Sequence, residues 1–138
     1  MANQFVVQLK NVPGAMAILA EELAARGVDL RAIGGGGLGD SGHVIMTTAD
    51  DDTTKTVLDE GEYNYVEGES IIAEVDDKPG GMARVARQLA DAGVNIHGHL
   101  FLGRWGDRAM FAFVVDRDRK STRLNSSHWI TSRMPSSA

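Results

Sequence analysis

The chain has 138 residues, of which 43% are hydrophobic, a formal net charge of −5 and no cysteine. This length allows one domain or two very small ones, and the apolar fraction is sufficient for a core. The lack of cysteine excludes a disulfide framework and a cysteine-based zinc site. Because no basic segment precedes a long apolar stretch, we expect a cytoplasmic protein that makes no contact with a membrane.

The charges are unevenly distributed along the chain. Residues 117–138 hold five of the fourteen basic residues and one of the nineteen acidic residues, so the rest of the chain is strongly acidic. An acidic body repels phosphate backbones, and its predicted strands lack the aromatic pair typical of RNA-binding sheets. We therefore expect no nucleic-acid partner.

The first half of the chain predicts strands and helices in a simple order. Short β-rich runs alternate with segments of helical spacing, proline marks a first helical turn, and glycine marks a helix end. In chain order the predicted elements are a strand at 5–9, a helix from Pro13 to Gly27, strands at 28–33 and 43–48, a capped helix at 50–61 and a strand at 63–68. This βαββαβ order predicts a ferredoxin-like α+β unit, with an antiparallel sheet and both helices on one face.

A repeat with an offset of 66 residues divides the chain. Residues 11–16 read NVPGAM and residues 77–82 read DKPGGM, and residues 5–52 align with 71–118 without a gap. Self-similarity of this kind predicts a duplicated unit. We assign residues 1–68 to the first unit and 69–118 to the second, which has a strand at 71–75, a helix from Pro79 to Gly93 and strands at 94–102 and 109–115.

The second unit is predicted to lack its last helix and last strand. Residues 119–138 stand in their place and form a serine-rich, basic segment without any sustained period. Such a composition predicts disorder. The segment also resembles a read-through peptide, so we interpret it as a disordered tail that is an artefact and not part of the fold.

With this topology and a Pro-Gly element in each first strand–helix turn, the sequence resembles the ACT domain family. N-V-P-G-A-M and D-K-P-G-G-M carry the resemblance, each followed by a helix and then by G-V-D-L or G-V-N-I. The resemblance implies a tandem, non-catalytic regulatory protein that binds an amino acid and forms a homo-oligomer or acts on a regulated enzyme. The alternatives are a detached regulatory subunit of an amino-acid biosynthetic enzyme and, less favoured, a metal-responsive module that uses His97 and His99.

The Pro-Gly turn also has a physical reason to bind an amino acid. A helix N-terminus offers unpaired N–H groups to a carboxylate, and glycine allows a close approach of the backbone. The resemblance implies a ligand between two modules, with polar residues from a loop and from a strand. If these come from different copies, Asn11 meets Asn95, which suits a zwitterion, whereas Asp77 meets Asp29, a pair of like charges. We therefore expect one competent and one degenerate site.

The predicted ligand-binding residues are Asn11, Val12, Pro13, Gly14, Ala15 and Met16 of the first turn, Asp77, Lys78, Pro79, Gly80, Gly81 and Met82 of the second turn, and Asp29, Leu30, Asn95 and Ile96 of the strands. The competing interpretation is that the Pro-Gly turns merely close a strand–helix connection, since a fold alone does not give a function.

Three other motifs favour structural interpretations. Residues 34–42 are rich in glycine but lack the Lys-Ser/Thr of a phosphate-binding loop, so they predict a flexible hairpin loop that can serve as a lid. His97 and His99 have a spacing that can chelate a metal, but no third ligand is evident. The acidic run at 50–52 predicts a helix cap. Because no catalytic constellation is present, we expect a non-enzyme without a cofactor or metal.

Overall fold

A computed structural model describes residues 3–115 and 129–131, and the chain divides into two compact units, residues 1–68 and 69–138. Six antiparallel strands and three helices give the α+β class that the sequence predicts. The elements are β1 (Gln4–Lys10), α1 (Ala15–Ala25), β2 (Leu30–Leu38), β3 (Ser41–Thr48), α2 (Asp51–Glu60), β4 (Tyr65–Asp76), α3 (Gly81–Asp91), β5 (Ile96–Trp105), β6 (Arg108–Val115) and a short β7 (Trp129–Thr131).

The first unit has the complete ferredoxin-like topology. Its strands lie in the order β2-β3-β1-β4, all neighbours being antiparallel, and residues 65–68 of β4 supply the last strand. Alternation along β1 places Phe5 and Val7 in the core, where Leu23 of α1 and Leu58 of α2 also lie fully or almost fully buried. Both helices thus cover the same face of this sheet.

In the second unit, residues 69–76 of β4 pair with β6, and β6 pairs with β5, all antiparallel. Its core contains Ile71, Val85, Leu89 and Phe113. In the described part of this unit α3 is the only helix, and β7 pairs parallel with β4. The predicted disordered tail, residues 119–138, otherwise lies outside the described residues.

Glycine ends both of the corresponding helices, as the sequence predicts. Gly27 and Gly93 have φ values of 73° and 74°, which glycine adopts without strain. The N–H of Gly27 donates to the Ala24 carbonyl, and the next N–H, that of Val28, donates to the Leu23 carbonyl. This is the Schellman pattern, and it recurs one repeat later at Gly93.

The hairpins correct two expectations from the sequence. Residues 34–37 are not a flexible loop, because they pair with residues 42–45 of β3 and the turn contains only Gly39 and Asp40. The repeat is also not free of gaps. A register shift between Phe101 and Gly103 marks one additional residue in β5, so beyond it the copies correspond with an offset of 67 residues.

Candidate functional site

Each Pro-Gly turn begins its helix with a glycine in the left-handed region. Gly14 has a φ of 89° and Gly80 a φ of 90°, and a Cβ added at either position would meet no atom within 4 Å. Glycine is therefore required by the backbone conformation and not by the available space. The two copies of the turn have almost the same geometry.

The start of α1 has unpaired amide groups. No side chain caps this helix, and the N–H groups of Met16 and Ala17 have no acceptor among the described residues. The first turn contains no acidic residue that would offset the partial positive charge of the helix N-terminus. This end of α1 is therefore suited to an anionic group.

A cavity of about 370 Å³ in the first unit adjoins these amides. Its volume lies within the range of roughly 300–1,000 Å³ that is typical of small-molecule sites. The Pro-Gly turn forms one wall and the β2–β3 hairpin forms another. The lining residues are Leu9, Lys10, Asn11, Val12, Ala15, Met16, Ile33, Gly34, Gly35, Gly36, Gly42, His43 and Val44.

Asn11 has a fixed orientation at this cavity. Its Nδ2 donates to the Gly39 carbonyl at 2.9 Å, and its backbone N–H donates to the Asp40 carbonyl at 3.0 Å. Its Oδ1 accepts no hydrogen bond from the described residues, so it remains available as an acceptor. The amide lies over Gly37, where an added Cβ would be 2.7 Å from Oδ1.

The cavity is mostly apolar, with two further polar side chains. Val12, Met16 and Ile33 are large apolar residues that remain 56%, 50% and 42% exposed. Lys10 supplies a cation and His43 an imidazole, and both are exposed. A small ligand with both charged and apolar parts would match this lining.

The second unit has a corresponding cavity of about 410 Å³ with different polar groups. Asp77 replaces Asn11 and forms an ion pair with Arg104, which also lines the cavity. Asp76 is similarly paired, with the buried Arg108. The carboxylates of this cavity are therefore neutralised within the unit.

A further cavity of the first unit, of about 580 Å³, lies on the other side of the same turn. Val12 and Pro13 line it together with Tyr63 and Asn64 from the connection between α2 and β4. Within this cavity the Asn64 amide donates to Gln8 Oε1 at 3.3 Å. The Pro-Gly turn thus separates two concave surfaces.

The predicted site residues on the strands do not join these cavities. Asp29 and Leu30 line neither of the two cavities beside the first turn, and Asn95 and Ile96 do not line the cavity of the second unit. Asp29 instead pairs with Arg31 at 3.6 Å, and Leu30 packs against the core. Pairing between the copies stays a prediction.

Lys10, His43 and the glycines of β2 line the cavity but were not among the residues predicted from the sequence. The run of glycines at 34–37 was the available signal, since a strand without side chains leaves space beside it.

Among the described residues no group of three or more potential ligands could hold a metal ion. The His99 ring lies against Phe113, with a centroid distance of 6.3 Å. The described helices also include none with the length and apolar character needed to span a membrane.

No family model and no curated protein matches the chain. A crystal structure of a protein from Bacteroides thetaiotaomicron matches with a TM-score of 0.65 and 20% identity, over 91% of this chain and 86% of that one. The regulatory subunits of aspartate kinase from Thermus thermophilus and Thermus flavus match with TM-scores of 0.58 and 0.59 and identities of 18% and 16%. These matches cover 92% and 93% of this chain, and 91% and 92% of the respective subunits. The likeness shows that the chain shares the α+β, ferredoxin-like fold of these proteins.

Proposed function

We propose that the first unit binds a free amino acid with an apolar side chain in the cavity beside Asn11. The observation that carries the proposal is the combination of free helix amides and a free side-chain acceptor at one apolar cavity. A zwitterion requires both kinds of group within a short distance, and an apolar side chain requires the remaining lining.

Each part of the ligand has a partner in this proposal. The carboxylate accepts hydrogen bonds from the N–H groups of Met16 and Ala17, where the helix dipole favours negative charge. The exposed Lys10 adds a positive charge at the same cavity. The ammonium donates to Asn11 Oδ1, and a hydrogen bond to a charged group contributes about 1.5–3 kcal/mol.

The proposed site lies within the first unit and is therefore smaller than the site expected from the sequence. It uses residues 11–16, of which all but Pro13 and Gly14 line this cavity. Asp29, Leu30, Asn95 and Ile96 have no part in it. Their contribution to a site between the copies is a separate prediction.

We further propose that the chain is a regulatory module rather than an enzyme. The Thermus proteins with the same fold are described as regulatory subunits of aspartate kinase, which supports a role in which ligand binding acts on a partner. That partner is an amino-acid biosynthetic enzyme or a second copy of this chain, in the cytoplasm. A bound ligand shifts the equilibrium between two states of such an assembly only if its affinities for the two states differ.

Isothermal titration calorimetry of the full chain with each proteinogenic amino acid tests the binding proposal. We expect heat of binding with apolar amino acids, and a loss of affinity of at least about tenfold in Asn11→Ala, because an ammonium hydrogen bond is removed. Asn64→Ala is the matched control. It also removes an exposed asparagine of the first unit, but Asn64 lines the other cavity beside the Pro-Gly turn.

Two results would reject the proposal. If no amino acid gave heat of binding, the Pro-Gly turn would be interpreted as a simple strand–helix connection. Weakened binding in Asn64→Ala with normal binding in Asn11→Ala would place the ligand in the cavity on the other side of the turn.

A further inference from the structure

The two hairpins place different residues at one equivalent position. Gly37 pairs with Gly42 in the first unit, and Arg104 pairs with Ala109 in the second. Each of these residues lies two positions before its turn glycine, which is Gly39 or Gly106. Once the additional residue of β5 is counted, Arg104 is therefore the counterpart of Gly37.

The residue facing this position differs in a complementary way. In the first unit the Asn11 amide covers Gly37, and any Cβ there would overlap it. In the second unit the carboxylate of Asp77 forms an ion pair with the Arg104 guanidinium. An asparagine that lies over a residue without a side chain thus corresponds to an aspartate paired with a cation.

The guanidinium of Arg104 is also held from a second direction. Its central carbon lies 5.2 Å from the centroid of the Phe101 ring, in the geometry of a cation–π contact. The Asp77 and Arg104 side chains are 37% and 57% exposed, so solvent screens their ion pair and it contributes little to the stability of the fold. The pair therefore matters more for the chemistry of the cavity than for folding.

We propose that Arg104 supplies, within the second unit, the cation that the first unit takes from its ligand. This inference rests on the proposed function. The ligand's ammonium lies beside Asn11 in the first unit, at the place that the guanidinium occupies beside Asp77 in the second. The second cavity therefore binds no amino acid, and each chain binds one ligand.

The same argument defines the class of ligand more narrowly. The position beside Asn11 takes a cationic group, so a primary amine on the ligand is required. A 2-oxo acid with the same side chain lacks that cation and is expected to bind at least about tenfold more weakly, because it makes no charged hydrogen bond to Oδ1.

Exchanging the paired residues between the units tests the inference. The full chain and its variants are titrated separately with L-leucine, L-valine and L-methionine, and the number of sites per chain is measured. We expect one site in the wild type, two in the double variant D77N/R104G, and none in the double variant N11D/G37R. A matched control is D91N/R87A, which removes another exposed ion pair of the second unit, 3.8 Å in length, and should retain one site.

The possible results separate this inference from the proposed function. A wild type without any site refutes the proposed function, and this inference with it. A wild type with one site, together with a single site in folded D77N/R104G or an intact site in N11D/G37R, overturns this inference alone. If D77N/R104G does not fold, as judged by the loss of its cooperative thermal transition, the number of sites in N11D/G37R tests the inference instead. No site supports the inference, and one intact site overturns it.

Discussion

The substitution Gly37→Ala tests how the candidate site is held in position. An added Cβ would lie 2.7 Å from both Cγ and Oδ1 of Asn11, whereas ordinary van der Waals contact begins at 3.4 Å. The side-chain amide must therefore withdraw, which breaks its 2.9 Å hydrogen bond to the Gly39 carbonyl. Because Asn11 is exposed, this movement has little effect on the core.

The expected cost falls on binding rather than on stability. If Oδ1 no longer reaches the ligand's ammonium, about 1.5–3 kcal/mol is lost, which corresponds to about a 10- to 150-fold lower affinity. Calorimetry with the apolar amino acids measures this change, and thermal unfolding should remain close to that of the wild type. Leu38→Ala is the control, since Leu38 follows Gly37 in β2, is 89% exposed and does not line the cavity.

A double-mutant cycle identifies the residue through which Gly37→Ala acts. In an Asn11→Ala background the clash disappears, so Gly37→Ala should have almost no further effect on affinity. Equal losses in both backgrounds, or unchanged binding in Gly37→Ala itself, would refute the argument that Gly37 positions Asn11.

Three further predictions concern the fold. In Gly81→Ala the new Cβ would lie 2.1 Å from the Asp76 carbonyl oxygen, so we expect the unfolding free energy, measured by denaturant titration, to fall by about 1–3 kcal/mol. Leu23→Ala should lower it by about 2–5 kcal/mol, because Leu23 is fully buried. A hydrogen bond of 2.7 Å to the Asp59 carboxylate raises the pKa of Tyr65 to about 12. The protonated phenol is therefore favoured by folding, and its contribution to stability is present below the ordinary pKa of about 10 and is lost as the pH rises through about 12. Tyr65→Phe should remove this part of the pH dependence, and phenolate absorbance locates the titration.

The glycine ends of the helices were predictable because their causes are local in sequence: glycine adopts without strain the left-handed conformation seen at Gly27 and Gly93. The helix starts were predicted less well, since Pro13 was expected in the first helical turn, whereas α1 begins at Ala15 with the left-handed Gly14 as its N-cap. The cap at Asp50 is equally local, since its carboxylate accepts from the Thr53 N–H only three residues away. For such features the sequence contains both partners within one turn of chain.

The contacts of the candidate site were not predictable because they join distant residues. Asn11 bonds to a carbonyl 28 positions away, and Asp77 pairs with a cation 27 positions away. The glycines at 34–37 favour a loop by propensity, but pairing with β3 outweighs that preference. The additional residue in β5 did leave a signal that an alignment without gaps overlooks, because Gly39 and Asp40 of the first hairpin turn are identical to Gly106 and Asp107 only at an offset of 67 residues.

Comparison of the two copies separates positions that serve the backbone from positions that serve the cavity. The copies share the glycine that begins the helix and the glycine that ends it, where a positive φ admits few other residues. They differ at Asn11 and Asp77 and at Gly37 and Arg104, although the backbone geometry around these positions is alike. The copies also differ at other positions, such as Lys10 and Asp76, but folding imposes similar demands on both units, so a complementary difference at two contacting positions calls for a cause beyond the backbone. A ligand that enters one cavity and is replaced by an internal cation in the other is such a cause, so in this chain the differences between the copies point to the candidate site more directly than their similarities.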